Sequence, residues 1–354
     1  MTDEFDRLLH FTERDLPAGR HQLHRERLMT QIHEDIRTSS PTPASAANRR
    51  NPFLRRAILI PVAAFALVGA VVTGVQLTAA PDGSGDSGLA TGPLLVTEVG
   101  SAHASGATQL LNRIALAANE TSTPKAHEGQ YVYIESTTAG THVRNDHGKS
   151  TVVSDKLHPR QTWKSLDGKN GWLIEAGATD TKGITLDSDV KPYLNAPSYN
   201  YLAALTTDPD ALLAKIYNET RGEGRGPDQE AFTTIGDLLG ESYPTAALTS
   251  ALYKAAAKIP GVVTVDDAVD AAGRHGVAVA RLDETSGQRD EWIFDNKTLT
   301  FLGKRTVQVN PVPGDTEANL IKPGTVVFTT AITTRAIVDG IKQTPAQQTP
   351  ARAS

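Results

Sequence analysis

The sequence predicts an α+β protein: one membrane-spanning helix, then an outer domain in which a mostly antiparallel sheet packs against helices. Three observations predict it. Residues Ala57–Leu77 form one uncharged apolar run, AILIPVAAFALVGAVVTGVQL. Beyond it, alternating polar and apolar segments fill the stretches Gln130–Glu175 and Val262–Thr334. Between them lies a block of helical patterning, Pro197–Ile259. Strands, then helices, then strands describe an α+β order, and alternation marks a sheet with one face covered.

Composition narrows the function classes. With 39% apolar and only 5% aromatic residues in 354, the core must be built mainly from Ala, Val, Leu and Ile. A net charge of −5 lacks the basic surplus of a nucleic-acid binder, so no nucleic-acid partner is expected. The absence of cysteine removes disulfides, thiolate metal sites, a Cys nucleophile and a lipid-modified N-terminal Cys. It does not fix the compartment.

The apolar run does that. Its 21 residues reach about 31 Å as a helix, the thickness of a hydrocarbon core. Pro61, Gly69 and Gly74 would weaken a soluble helix but are tolerated in a membrane. Arg49, Arg50, Arg55 and Arg56 precede the run, and Asp82 and Asp86 follow it. The positive-inside rule then places residues 1–56 in the cytoplasm and the C-terminal part outside the cell membrane. A cleaved signal peptide is the competing reading, but such a leader has a short basic start and a shorter apolar core. The predicted organisation is a cytoplasmic tail over 1–56, a span over 57–77, a flexible linker over 78–103, an outer domain over 104–342 and a disordered tail over 343–354.

In the cytoplasmic tail, Phe5, Leu8, Leu9 and Phe11 form a short amphipathic piece, and a helix is predicted from Pro17 to Ile36. Leu28, Ile32 and Ile36 make a narrow stripe suited to docking on a partner. A partly ordered tail without a partner is the competing reading. His21 and His24 have no cysteine partners to complete a zinc site.

In the outer domain, Ala104–Glu120 reads as a helix through Leu110, Leu111, Ile114 and Leu116. Strands follow at Gln130–Thr138, Thr141–Ser154, Pro159–Ser165 and Gly171–Glu175, with a turn at Asp167–Gly168. Helices are expected at Pro197–Leu205, Asp210–Tyr217, Asp228–Leu239 and Thr245–Ile259, with Asp208–Pro209 as a capped start. Strands resume at Val262–Val265, Ala268–Ala271, Val277–Asp283, Arg289–Asp295, Thr300–Val309 and Thr325–Thr334.

The QYVY strand at Gln130–Tyr133, LTTDPDALLAKI at Leu205–Ile216, IPGVVTVDDAVDAAGRHGVAVAR at Ile259–Arg281 and EWIFDNKTLTFLGKR at Glu291–Arg305 carry a resemblance. Together with the Arg-flanked anchor, they make the chain similar to actinobacterial single-pass membrane proteins of unknown function, often encoded near extracytoplasmic-function sigma factors. The resemblance implies no activity and no functional residues. By fold analogy, the strand–helix–strand order is similar to lipoprotein-carrier and sigma-regulator ectodomains, whose sheet is a curved half-barrel against helices.

Few constellations carry chemistry. Gly273–Arg274–His275–Gly276 offers an anion or acid–base pair, or simply a hairpin turn. Arg221–Gly226 has three glycines but neither dinucleotide spacing nor a Walker lysine. Ser122 and Lys125 match S-x-x-K in a loop, without the partner motifs. His103, His127, His142, His147, His158 and His275 lack metal-like spacing, and Trp163, Trp172 and Trp292 lie on predicted strands as core residues or a ligand platform. No catalytic, metal or cofactor-binding residue is assigned, and no cofactor is expected. The expected function is non-enzymatic: an outer domain at the cell envelope that binds a lipid, in an apolar cavity, or a protein. An anti-sigma-like regulator acting on a sigma factor through residues 1–48, and an envelope enzyme, stand as alternatives.

Overall fold

Residues 90–345, apart from 124, 147, 148, 313 and 317, are described by a computed structural model. The tail 1–56, the run Ala57–Leu77 and residues 346–354 lie outside the described residues. Among the described residues no helix is long and apolar enough to cross a membrane.

The described chain opens with two short strands, β1 (Thr91–Gly92) and β2 (Ala102–His103), and a helix α1 (Ala107–Asn119). A first strand group follows: β3 (Tyr131–Asp146), β4 (Lys149–Asp155), β5 (His158–Ser165), β6 (Gly171–Glu175) and β7 (Ile184–Thr185). Four helices come next, α2 (Tyr199–Ala203), α3 (Pro209–Glu219), α4 (Pro227–Glu241) and α5 (Ala246–Ala256). A second strand group ends the domain: β8 (Val262–Val269), β9 (His275–Asp283), β10 (Gln288–Asp295), β11 (Phe301–Gln308) and β12 (Val326–Val338). The strands pair antiparallel in the order β2-β8-β9-β10-β11-β12-β3-β5-β6-β7, with β4 on the far half of β3 and β1 on β4. The last strand thus joins the two groups by pairing with β3, Val338 opposite Tyr131 and Phe328 opposite Gly140.

Local chemistry explains the helix starts. The side chains of Ser198, Asp208 and Thr245 accept from the backbone N–H of Tyr201, Ala211 and Leu248, satisfying donors that a helix leaves open. The helices bury one shared core with the β9–β10 face: Leu111 and Ile114 of α1, Leu212 and Ile216 of α3, Phe232 and Ile235 of α4, and Leu252 of α5 meet Val279, Trp292 and Phe294. Phe232 stacks on Trp292 at 4.0 Å, nearly parallel. Gly236 lets α4 lie against that indole, since a methyl there would stand 2.5 Å from Trp292 Nε1.

The elements differ from the sequence reading in definite places. Residues 90–103, read as linker, are paired to the sheet at three points, because their hydrogen-bond partners lie far along the chain. Thr141–Ser154 is the end of β3 plus β4, folded back on each other. The helix read at Pro197–Leu205 is present but shorter, α2 over Tyr199–Ala203. Val262–Val265 and Ala268–Ala271 are mainly one strand, β8; a register shift at Asp266–Asp267, with Asp267 at φ 54°, interrupts the alternation and mimics a break.

Two glycines of α4 separate packing from propensity. Gly236→Ala is expected to lower stability by about 1–3 kcal/mol through overpacking against Trp292. Gly240→Ala meets only Lys304 at ordinary contact, 3.7 Å away, and should gain about 0.4–1 kcal/mol. Urea unfolding of both variants checks this; shifts of the same sign would sink the account.

Candidate functional site

On the sheet face away from the helices, β10 and β11 bring three charges together out of water. Glu291 lies directly opposite Arg305 in the register, and Arg289 is two residues along the same strand, hence on the same face. Glu291 is fully buried and both arginines nearly so. Arg289 Nε donates to Glu291 Oε1 at 2.8 Å, and Arg305 Nε to Oε2 at 2.7 Å. One further nitrogen of each guanidinium reaches the covering chain or the end of β8. Arg289 Nη1 donates to the Gly100 carbonyl at 3.0 Å, and Arg305 Nη1 to Thr97 Oγ1 and the Val269 carbonyl, each at 3.2 Å.

The cover is the segment from residue 90 to residue 103. Thr91 and Gly92 pair with Asp155 and Ser154, and Ala102 pairs with Val265. Between these points, Thr97 N–H donates to the Gly324 carbonyl and Val326 N–H to the Leu95 carbonyl, both at 2.8 Å. The segment therefore crosses the sheet face as a strap, riveted by two buried arginines.

On the helix side, Lys304 of β11 meets Asp237 of α4, with Glu241 Oε1 at 3.8 Å. Asp290 accepts from Thr306 Oγ1 at 2.6 Å and Gln229 Nε2 at 2.8 Å. Two carboxylates thus share one ammonium, and a third, Asp290, lies close enough to feel its charge. Removal from water pushes Asp237 up to about 6, with Lys304 opposing and Glu241 and Asp290 adding to the rise. Burial likewise raises Asp290. Burial alone would pull Lys304 down, but Asp237 and Glu241 hold it above its ordinary value.

Crevices at this junction are small. One, between Thr233, Asp237, Asp290, Trp292 and Lys304, holds about 10 Å³; another, between Val132, Ile134, Lys164, Tyr199 and Tyr243, holds the same. Each has room for about one water.

The candidates read from sequence are placed as follows. Arg274 is committed to Asp270, with Nη2 2.6 Å from Oδ2, and donates to the Leu302 and Ile332 carbonyls at 3.0 Å, so the Gly273–Gly276 cluster is a turn that ties β8–β9 to β11–β12. The Arg221–Gly226 loop joins α3 to α4, and Arg225 pairs with Asp283 at 3.1 Å. Ser122 and Lys125 sit in the exposed loop after α1. Among the histidines, His158 touches Glu175 at 3.3 Å; burial pulls its pKa down, but Glu175 and the Lys156 carbonyl hold it above the ordinary value. Among the described residues no group of three or more His, Asp or Glu is arranged to hold a metal. Trp292 belongs to the core, whereas Trp163 and Trp172 stand beside Tyr133 in one cross-strand row.

Sequence reasoning missed both charge clusters. A signal was present in Arg289–Asp290–Glu291–Trp292, where charge occupies both faces of a strand with apolar neighbours. No protein-family model matches the chain, and no curated protein matches it at a significant level.

Glu291→Gln should cost about 3–5 kcal/mol, since it strands two arginines without a counter-charge; Arg305→Met leaves a neutral pair and should cost less. Chemical denaturation of the two variants checks the order. Asp237 sits above its ordinary value of 3.8, so the folded chain takes up its proton more readily than the unfolded one. Its contribution to stability therefore rises as pH falls from about 7 to about 5. Asp237→Asn should flatten that part of the stability–pH curve; an unchanged slope would refute the assignment.

Proposed function

We propose that the chain is a non-enzymatic, single-pass envelope protein whose outer domain binds a protein partner and relays that event through its anchor to the cytoplasmic tail. The observation that carries this reading is the strap. The chain leaves the predicted span at residue 77 and by residue 91 has entered the sheet. From there it is fastened along its course to β4, to β8 through Ala102 and His103, and to Arg289 and Arg305. Of the predicted 78–103 linker only residues 78–89 then separate the span from the sheet, so the outer domain is tethered more closely to its anchor than a linker running free to residue 103 would hold it.

Three further features support it. Glu291 is committed to two arginines and Lys304 to two carboxylates of α4, which leaves these two groups poorly placed for acid–base work. The exposed segment 339–345 over the Tyr133–Trp163–Trp172 row favours a protein partner, since its contacts are those of an extended chain. Register shifts in β8, β10, β11 and β12 favour a curved sheet, in keeping with the half-barrel form inferred by analogy. On the cytoplasmic side the Leu28–Ile32–Ile36 stripe is the proposed contact, with a sigma factor as its first candidate.

The test uses the full chain, tagged at its N-terminus, in intact cells and after solubilisation. External protease should digest the outer domain and spare the tag, and the solubilised chain should retain an extracytoplasmic-function sigma factor from the same cells. Arg305→Met, by loosening the strap, should change that retention at least threefold. Loss of the tag to external protease, or the same retention with and without Arg305, would overturn the reading.

A further inference from the structure

The sheet face away from the helices carries a second feature that the strap does not explain. Tyr133, Trp163 and Trp172 are directly opposite one another on β3, β5 and β6, so their rings stand side by side in one row. The rings of Tyr133 and Trp163 are 5.0 Å apart. Trp172 Nε1 donates to the Lys182 carbonyl at 2.9 Å, which fixes the edge of its indole and leaves a ring face outward. The next row on the same face begins with Glu135 and Gln161, and Gln161 Nε2 donates to both Tyr133 Oη and Glu135 Oε1. An aromatic row bordered by a carboxylate is suited to an aliphatic chain ending in a cation.

The row is covered by the chain's own C-terminal segment. After β12 ends at Val338, Gln130 Nε2 donates to Asp339 Oδ1 at 2.8 Å, Ile341 packs on the aromatics, and Trp163 Nε1 donates to the Gln343 carbonyl at 2.7 Å. Lys342 Nζ stands 4.1 Å above the Trp172 ring. The segment lies outside the strand ladders, so it can leave without breaking the sheet. Lys342 holds it at φ +66°, a left-handed conformation that a lysine adopts at a cost. Lys342 and Gln343 are themselves exposed. A chain held by single side-chain contacts through a strained residue belongs to the readily opened part of a fold.

We infer that the Tyr133–Trp163–Trp172 row is a recognition site for an extended peptide that presents an aliphatic residue followed by a lysine or arginine, and that residues 339–345 occupy it as an intramolecular stand-in which a partner displaces. The occupant supplies the ligand chemistry: Ile341 on the row, a main-chain carbonyl on Trp163 Nε1, and a cation on Trp172. The inference deepens the proposed function and rests on its reading that the outer domain takes a protein partner.

The test compares the full chain with the same chain ended after Asp339, titrated with a labelled peptide copying residues 339–345 (DGIKQTP) and with its Lys→Ala counterpart. The shortened chain should bind the peptide at least tenfold more tightly than the full chain. The alanine peptide should bind at least fivefold more weakly, and tryptophan emission of the shortened chain should shift red and return on binding. Absence of saturable binding to a shortened chain that still unfolds cooperatively overturns the inference, as does equal binding of the two peptides. Should the shortened chain fail to fold, trypsin acting on the intact chain decides the matter. Cleavage after Lys342 at a rate independent of urea, below the unfolding transition, supports a displaceable segment; cleavage only in step with global unfolding overturns it. Peptide binding can fail while tail retention in cells persists, which would remove this inference and leave the anchored-relay reading standing.

Discussion

A single carboxylate, Glu291, stands between two guanidinium groups in a part of the sheet that water does not reach. Ions removed from water must be matched by charge and by hydrogen bonds, or folding does not proceed. The trio carries one net positive charge, so its surplus donors need oxygen atoms from elsewhere. Arg289 Nη1 and Arg305 Nη1 find them on Thr97, Gly100 and Val269, which lie on the strap and at the end of β8. This requirement fixes where the strap crosses, and with it how the first described residues meet the second strand group.

The two faces of the sheet are finished by different means. The helix face is closed by apolar packing, with Trp292 stacked on Phe232 and with Val279 and Phe294 under the helices. One group of its charges gathers on Lys304, where α4 brings Asp237 and Glu241 to β11. Among the described residues no helix packs on the apolar clusters of the opposite face. Two pieces of chain cover it instead: residues 90–103 over the arginines and residues 339–345 over the aromatic row. One is held by backbone pairing and buried ions, the other by side-chain contacts around an exposed lysine. This difference in fastening is why the first is assigned a mechanical role and the second a replaceable one.

Both proposals place function on the face that the helices leave open. On these proposals, the strap and the Glu291 trio hold one half of that face, and only the segment 339–345 offers contacts for a partner to exchange.

The sequence by itself determined the local features. Asp208–Pro209 and Thr245 start helices where their side chains can reach the backbone three residues on, and the alternation of β9, β10 and β11 marks them as strands, because each of these signals depends on neighbours within a few residues. Of the candidate sites, the Gly273–Gly276 turn was legible for the same reason. The pairing of β12 with β3, the lacing of residues 90–103, the Glu291 trio and the Tyr133–Trp163–Trp172 row were decided only by the tertiary structure. Each joins residues distant in sequence, and in a sheet the register of strand pairing sets which side chains meet, so that a shift of one residue would have sent Glu291 to the helix side and Trp163 away from Tyr133.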